Sequence, residues 1–367
     1  MNMKPQTKML LTVVLIIIFL GSTAGLILTL TAKKAGAAGG NPRLQVDLYV
    51  RPEVVTGAYK IYGDNSMEYW LANTMIENTG KVPVKDFKIS YKIDGYCDWT
   101  SAELYPEIVP GEVVRDYCWP ALSASTMKDV TTKTPAELTM RYEYDGLDKP
   151  IDKQEKFFFL GKNDFIWTYI KDEDLYGFQD INDNYQLLAA FVTKNDEIVQ
   201  QAAKTLYGGL APSNDQDTYL ALTRTFDTLR YYGMQYVYEP AVLEANTFGQ
   251  YIQYPADSIN RVAGTCIDLS VLFCALLESV SVKTFIFLVP GHAIPAVWLP
   301  DSQTYLPIES TFMDLAFVQS HYDVNPQVTA DECIGIAVDY INQNISDGTC
   351  IVMDVEQAWA SGVMPSW

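Results

Sequence analysis

Histidine is nearly absent from this chain: there are two, His292 and His321, in 367 residues. The six cysteines (97, 118, 266, 274, 333 and 350) form no CxxC pair and have no histidine cluster beside them. A structural zinc site needs clustered thiolates and imidazoles, so this layout argues against one, and no metal or cofactor is expected. Basic residues are scarce too. Residues 44–367 hold 21 Lys and Arg against 45 Asp and Glu, a balance of −24. Such a body repels phosphate backbones, which effectively excludes nucleic-acid partners. Internal repeats and low-complexity tracts are also lacking, so the chain is not a repeat array.

What is present is a globular composition, 49% hydrophobic and 13% aromatic, long enough for two medium domains and an anchor. Between Lys8 and Lys33 lie 24 uncharged, mostly apolar residues. About 20 such residues suffice for a membrane-spanning helix, and a cleaved signal has a shorter apolar region. The expectation is a short tail at 1–8, a retained transmembrane anchor at 9–32 and a flexible linker at 33–43. Gly21 and Gly25 form a small-xxx-small pair within it, whose ordinary reading is incidental small residues. Lysines flank both ends, so orientation rests on the acidic bulk and the cysteines. Both favour a single-pass protein whose body lies outside the cytoplasm. Cys97 with Cys118, and Cys333 with Cys350, read as candidate disulfides suited to an oxidising exterior. Asn344-Ile345-Ser346 fits a glycosylation acceptor.

From 44 to 161 the pattern is β. Phe87, Ile89, Tyr91 and Ile93 alternate with polar residues, as do Leu138, Met140, Tyr142 and Tyr144. Asn78-Thr79-Gly80 and Asp145-Gly146 punctuate them, so a β-sandwich is expected. The run IENTGKVPVKDFKISYKI resembles the small immunoglobulin-like domains that accompany archaeal surface enzymes. Beyond 162 the pattern turns helical. Asn195 is expected to cap a helix ending at Gly208-Gly209, and a second helix is expected from Asp217 to Tyr232. Asp180, Asn182 and Asn184 have calcium-loop spacing. Tyr185 and Phe191 stand where that loop needs glycine and glutamate, so the segment reads as a polar loop.

The segment 253–311 carries the chemistry. Thr265 is a natural N-cap before the apolar stripe Leu269, Leu272, Phe273, Leu276 and Leu277, which places Cys266 in the first helical turn. Exposed amides and the macrodipole favour a thiolate there. Two strand-like runs follow, joined by Pro290-Gly291-His292, and a third ends at Glu309. A cysteine nucleophile needs an imidazole base, and the imidazole needs a carboxylate or amide to fix its tautomer. His292 is the expected base, with His321 the other histidine. Glu309 is the expected orienter, with Asp301 and Asp314 as rivals. Cys274 reads as a small buried residue in the helix stripe.

On QYP at 253–255, GTCIDLSVLFCALLES at 264–279, PGHA at 290–293 and PIEST at 307–311, residues 165–367 resemble the transglutaminase-like superfamily. More narrowly, they resemble its archaeal membrane-associated cysteine-peptidase branch, whose tail the run DVEQAWASGVMPSW also resembles. The resemblance implies an α+β, papain-like domain over 162–367, following the sandwich at 44–161. It implies Cys266 as nucleophile, His292 as base and then acid, and Glu309 as orienter. Gln253 or Tyr254 is expected as the oxyanion donor beside the Cys266 amide. Two departures stand out: many relatives carry aspartate where Glu309 stands, and often glycine where Ser279-Val280-Ser281 ends the helix. The implied chemistry is acyl transfer on a polypeptide or carboxamide substrate. Hydrolysis at the cell surface is favoured over cross-linking through the same triad. The competing class is a non-catalytic adhesion or assembly module with an idle thiol.

Overall fold

Alternation of inward apolar and outward polar side chains shapes the first part of the chain into two facing sheets. The computed structural model describes residues 42–64, 68–238, 249–321 and 327–367. Its strands run β1 (Leu44–Val50), β2 (Glu53–Val54), β3 (Ala72–Asn78), β4 (Val84–Ile93), β5 (Glu103–Ile108), β6 (Val113–Cys118), β7 (Thr134–Glu143) and β8 (Ile151–Phe159). Three of them form the sheet β1-β3-β6, and five form β2-β8-β7-β4-β5. In β4, Phe87, Ile89, Tyr91 and Ile93 are buried while Lys88 is exposed, the period of two that a half-buried strand requires. Asn78 fixes the turn after β3. Its Nδ2 donates to the carbonyls of Val82 and Ile108, and its Oδ1 accepts from the Gly80 amide.

The second part opens with β9 (Asp164–Ile166) and α1 (Glu197–Tyr207). Asp196 caps α1 by accepting from the amides of Ile198 and Val199, one residue beyond the expected Asn195. Gly208, with φ of 57°, ends it in the left-handed conformation that glycine tolerates. α2 (Asp215–Tyr231) starts before the expected Asp217, because Asn214 accepts from the Asp217 amide. Then come β10 (Gln235–Tyr236), β11 (Gly249–Tyr251), α3 (Pro255–Arg261), β12 (Ala263–Gly264) and α4 (Cys266–Glu278). The chain ends with β13 (Thr284–Val289), β14 (His292–Leu299), β15 (Thr304–Pro307), α5 (Ala330–Ser346), β16 (Ile351–Asp354) and α6 (Val355–Ala360). Strands β15-β14-β13-β16 form one antiparallel sheet.

Helix α4 is the pillar of this half. Every residue from Ile267 to Glu278 is buried, so the expected single apolar face is in fact a helix enclosed all round. Each buried leucine contributes about 1.5–3 kcal/mol, which fixes the helix rigidly against β13 and β14. Phe285, Phe287, Ile294 and Ala296 project from the sheet to meet Ala337 and Ile341 of α5 in a smaller cluster. The sheet is therefore held between α4 and α5. Just past α4, Ser281 has φ of 63°, in the left-handed region that glycine tolerates best.

The expected fold class, with its transmembrane helix, requires correction. What the described residues build is mixed α+β, and no helix among them is long and apolar enough to cross a membrane. The physical reason is visible in the helices themselves. The two longest, α2 and α5, have 17 residues and carry charges, while the buried α4 has 13, about 20 Å against about 30 Å of hydrocarbon, and carries Asp268 and Glu278. The segments expected as tail (1–8) and anchor (9–32), with Gly21 and Gly25, lie outside the described residues, as does most of the linker 33–43. Packing crosses the boundary near 161. One buried cluster runs from Val54, Ile61 and Tyr62 through Leu187 and Phe191 into α4. Gly57 lies against Phe191, where a Cβ would come within 2.4 Å of the ring.

Two smaller expectations are also corrected. All six cysteines are free thiols. Cys333 lies in the main core while Cys350 packs on the smaller cluster, so the pair is divided between two packing environments. Asn344 sits inside α5, buried, with its Nδ2 donating to the Tyr340 carbonyl. A glycosylation acceptor needs an accessible, unengaged amide.

Candidate active site

The start of α4 is closed by a capping box. The Thr265 hydroxyl accepts from the Asp268 amide at 3.4 Å, and Asp268 Oδ2 accepts from the Thr265 amide at 3.0 Å. Cys266 follows as the first helical residue, partly exposed, with the helix's unpaired amides and the positive end of its macrodipole around it. Two turns further, Cys274 is sealed in the core, and burial pushes its thiol well above the usual range.

His292 opens β14. The hairpin pairs Val289 with His292 directly across Pro290-Gly291, and Gly291 takes φ of 71° to close so tight a turn. Its Nε2 lies 2.8 Å from Glu309 Oε2. An ionised carboxylate only accepts, so Nε2–H donates, which leaves Nδ1 for Cys266, the other hydrogen-bond partner of the ring. Burial favours the neutral ring, but hydrogen bonds to Cys266 and Glu309, and the charges of both, outweigh it. The imidazole is raised from 6.5 to about 10.

Glu309 lies two residues beyond β15 and is buried. Its Oε1 accepts from the Thr311 amide at 3.1 Å and the Thr311 hydroxyl at 2.6 Å. Its own amide donates to the Cys333 carbonyl of α5. The extra methylene relative to aspartate is thereby accommodated: one oxygen is anchored on the following turn and the other reaches the ring. Cys266, His292 and Glu309 form one continuous chain of contacts.

The other expected participants lie elsewhere. His321 ends a short helix, its ring against Phe317 and Tyr238. Asp301 pairs with the Asp215 amide, and Asp314 accepts from Tyr236, Ala316 and Phe317 amides. Asp180 holds the amides of Tyr176 and Gly177, and no metal-binding cluster occurs among the described residues.

Gln253 and Tyr254 are corrected as oxyanion donors. Gln253 gives its Nε2 to Asp268 Oδ2 (2.9 Å) and to the Ala263 carbonyl (3.3 Å), so its amide locks the capping box. Tyr254 donates to the Lys162 carbonyl at 3.0 Å and stacks on Phe191. Neither borders the cleft in which Cys266 lies. That cleft, about 460 Å³, is walled by Trp167, Tyr236, Tyr238 and Gln250 beside Cys266 and His292. Gln250 comes from β11, paired with β9, and its Oε1 accepts from Trp167 Nε1 at 2.9 Å. Sequence reading missed it, because a three-residue strand carries no periodicity. The signal available was a second glutamine three residues before Gln253.

No protein-family model and no curated protein matches the chain. Among solved structures it is similar to one described as a "Putative Cysteine Protease from Cytophaga hutchinsonii", with 14% identity and a TM-score of 0.25. That similarity spans 65% of this chain and 71% of the other. A likeness at that score carries no argument about chemistry, which rests on the geometry above.

Proposed function

We propose that this chain is a thiol-dependent acyl-transfer enzyme of the transglutaminase-like kind, hydrolysing a peptide or carboxamide bond. The observation that carries the reading is the unbroken contact chain from the Cys266 thiol through the His292 ring to the Glu309 carboxylate. In the reactive state the proton sits on the ring, giving a thiolate beside an imidazolium that Glu309 holds in orientation. The sulfur attacks the substrate carbonyl carbon, and the carbonyl oxygen takes the negative charge. The Cys266 amide, in the first turn of the helix, donates to that oxygen. As the tetrahedral intermediate collapses, the C–N bond breaks and His292 passes its proton to the departing amine. The neutral ring then draws a proton from water, whose oxygen attacks the thioester. Carboxylate is released and the thiolate returns. The helix tip favours this cycle because its amides stabilise negative charge on sulfur without moving.

The test is alkylation of the full chain by iodoacetamide across pH, followed by assay on peptide and amide substrates. Modification at Cys266 faster than that of a simple thiol, lost in His292→Ala, is expected. Hydrolysis should fall ~10⁴-fold in Cys266→Ala. Undiminished hydrolysis in that variant sinks the proposal, and reactivity no greater than that of a simple thiol returns the chain to the class of binding modules.

A further inference from the structure

The sandwich holds a second cleft, of about 1100 Å³, that shares no lining residue with the one at Cys266. It opens where the two sheets part, between the edge strands β5 and β6. Its lining is aromatic: Tyr91, Tyr96, Trp99, Tyr105, Tyr117 and Trp119. Between the sheets lies Asp116, 6% exposed, accepting from the Tyr91 hydroxyl at 2.7 Å and the Tyr105 hydroxyl at 2.8 Å. Asp98 and Glu103 add carboxylates at the exposed rim, and no lysine lines the cleft.

A sandwich interior has no structural need of a carboxylate. Burying one costs several kcal/mol relative to an apolar side chain unless it is paired, and two phenols compensate only in part. A carboxylate offers about four acceptor positions, so two donors leave capacity for more. The single cation of the lining, Arg115, is exposed and alternates with Asp116 along β6, so it shares the outer face of that sheet with Tyr117, while Tyr91 and Tyr105 meet Asp116 on the inner side. Trp99 already has one guanidinium over its ring, that of Arg141 at 4.4 Å, whose charge is engaged by both oxygens of Asp152. An aromatic box attracts a cation through its ring quadrupoles, and a carboxylate in the box supplies the opposite charge. The body's balance of −24 draws cations toward it from solution.

We propose that this cleft binds an organic cation, the ammonium or guanidinium group of a basic polypeptide segment, with Asp116 as counter-charge and Trp99 and Tyr105 as walls. Carbohydrate also favours aromatic surfaces, but stacked sugar needs neither a carboxylate between the sheets nor a net negative lining.

The experiment titrates the full chain with hexa-lysine, hexa-arginine, hexa-glutamine and a neutral glucan oligosaccharide, following tryptophan fluorescence and heat of binding. The cationic peptides should bind saturably, be displaced by tetramethylammonium, and weaken with salt. Trp99→Ala and Asp116→Asn should each weaken them ~10-fold, and Glu103→Gln on the exposed edge ~3-fold. If Asp116→Asn fails to fold, the Trp99 and Glu103 variants decide. Absence of saturable binding overturns the proposal. So does binding that all folded variants retain, which would mean diffuse attraction to an acidic surface, and so does preference for the oligosaccharide.

Discussion

Asp116 in the sandwich and Glu309 in the α+β half are buried to the same degree, 6% and 5% exposed, and each accepts hydrogen bonds on both oxygens. They differ in what stands behind the donor. Asp116 is met by phenols, whose hydroxyls are pushed above their usual range by burial first and by Asp116 itself second. Those protons stay where they are. Glu309 is met by an imidazole that also touches a thiol, so its charge acts on a coupled pair of titratable groups. The two buried carboxylates thus differ in their partners: phenols that keep their protons at Asp116, and at Glu309 an imidazole that is itself bonded to a thiol.

The largest test of that contrast is Glu309→Gln. Removing the charge should lower turnover by about 10²–10⁴-fold, measured as kcat/KM on a thiol-dependent substrate. A loss smaller than threefold would make Glu309 no different in kind from Asp116.

The pH profile sharpens the same point. His292 is raised in the folded chain, so its ion-pair contribution is fully present below the ordinary imidazole value of 6.5 and is lost as pH rises through about 10. The basic limb of the rate profile is expected near that upper value, and it should move to lower pH in Glu309→Gln. A limb that stays in place in the variant would mean that Glu309 does not hold the proton on the ring.

Removing a neutral donor from each acid gives the smaller effects. Tyr105→Phe strips Asp116 of one hydroxyl and should destabilise the fold by ~1–3 kcal/mol in urea unfolding. Thr311→Val leaves Glu309 its amide donor, and the loss should appear as a ~3–10-fold drop in turnover with little change in unfolding midpoint. Equal behaviour of the two variants would erase the distinction.

Much of this arrangement was legible in the sequence, for local reasons. Thr265 and Asp268 are three residues apart with an apolar run behind them, and a capping box depends on nothing more distant. Pro290-Gly291 between two apolar runs specifies a tight hairpin, so His292 falls at a strand start. Alternation in β4 and β7 reads directly as two-faced strands. Non-local features were not legible. Gln253 belongs to the segment that resembles the family, yet its amide is spent on Asp268, fifteen residues away. Gln250, the glutamine that borders the cleft, sits in a strand too short to announce itself.

Local chemistry along the chain, then, determined the helix tip bearing Cys266, the turn bearing His292 and the acidic body, because caps, turns and charge act over a few residues. Tertiary structure alone decided that the Glu309 oxygens divide between Thr311 and His292, that the cysteines stay unpaired, and that a carboxylate lies among tyrosines between two sheets. Each of those depends on which distant side chains share a low-dielectric space, and hydrogen-bond geometry of a few tenths of an ångström is set only when the layers pack.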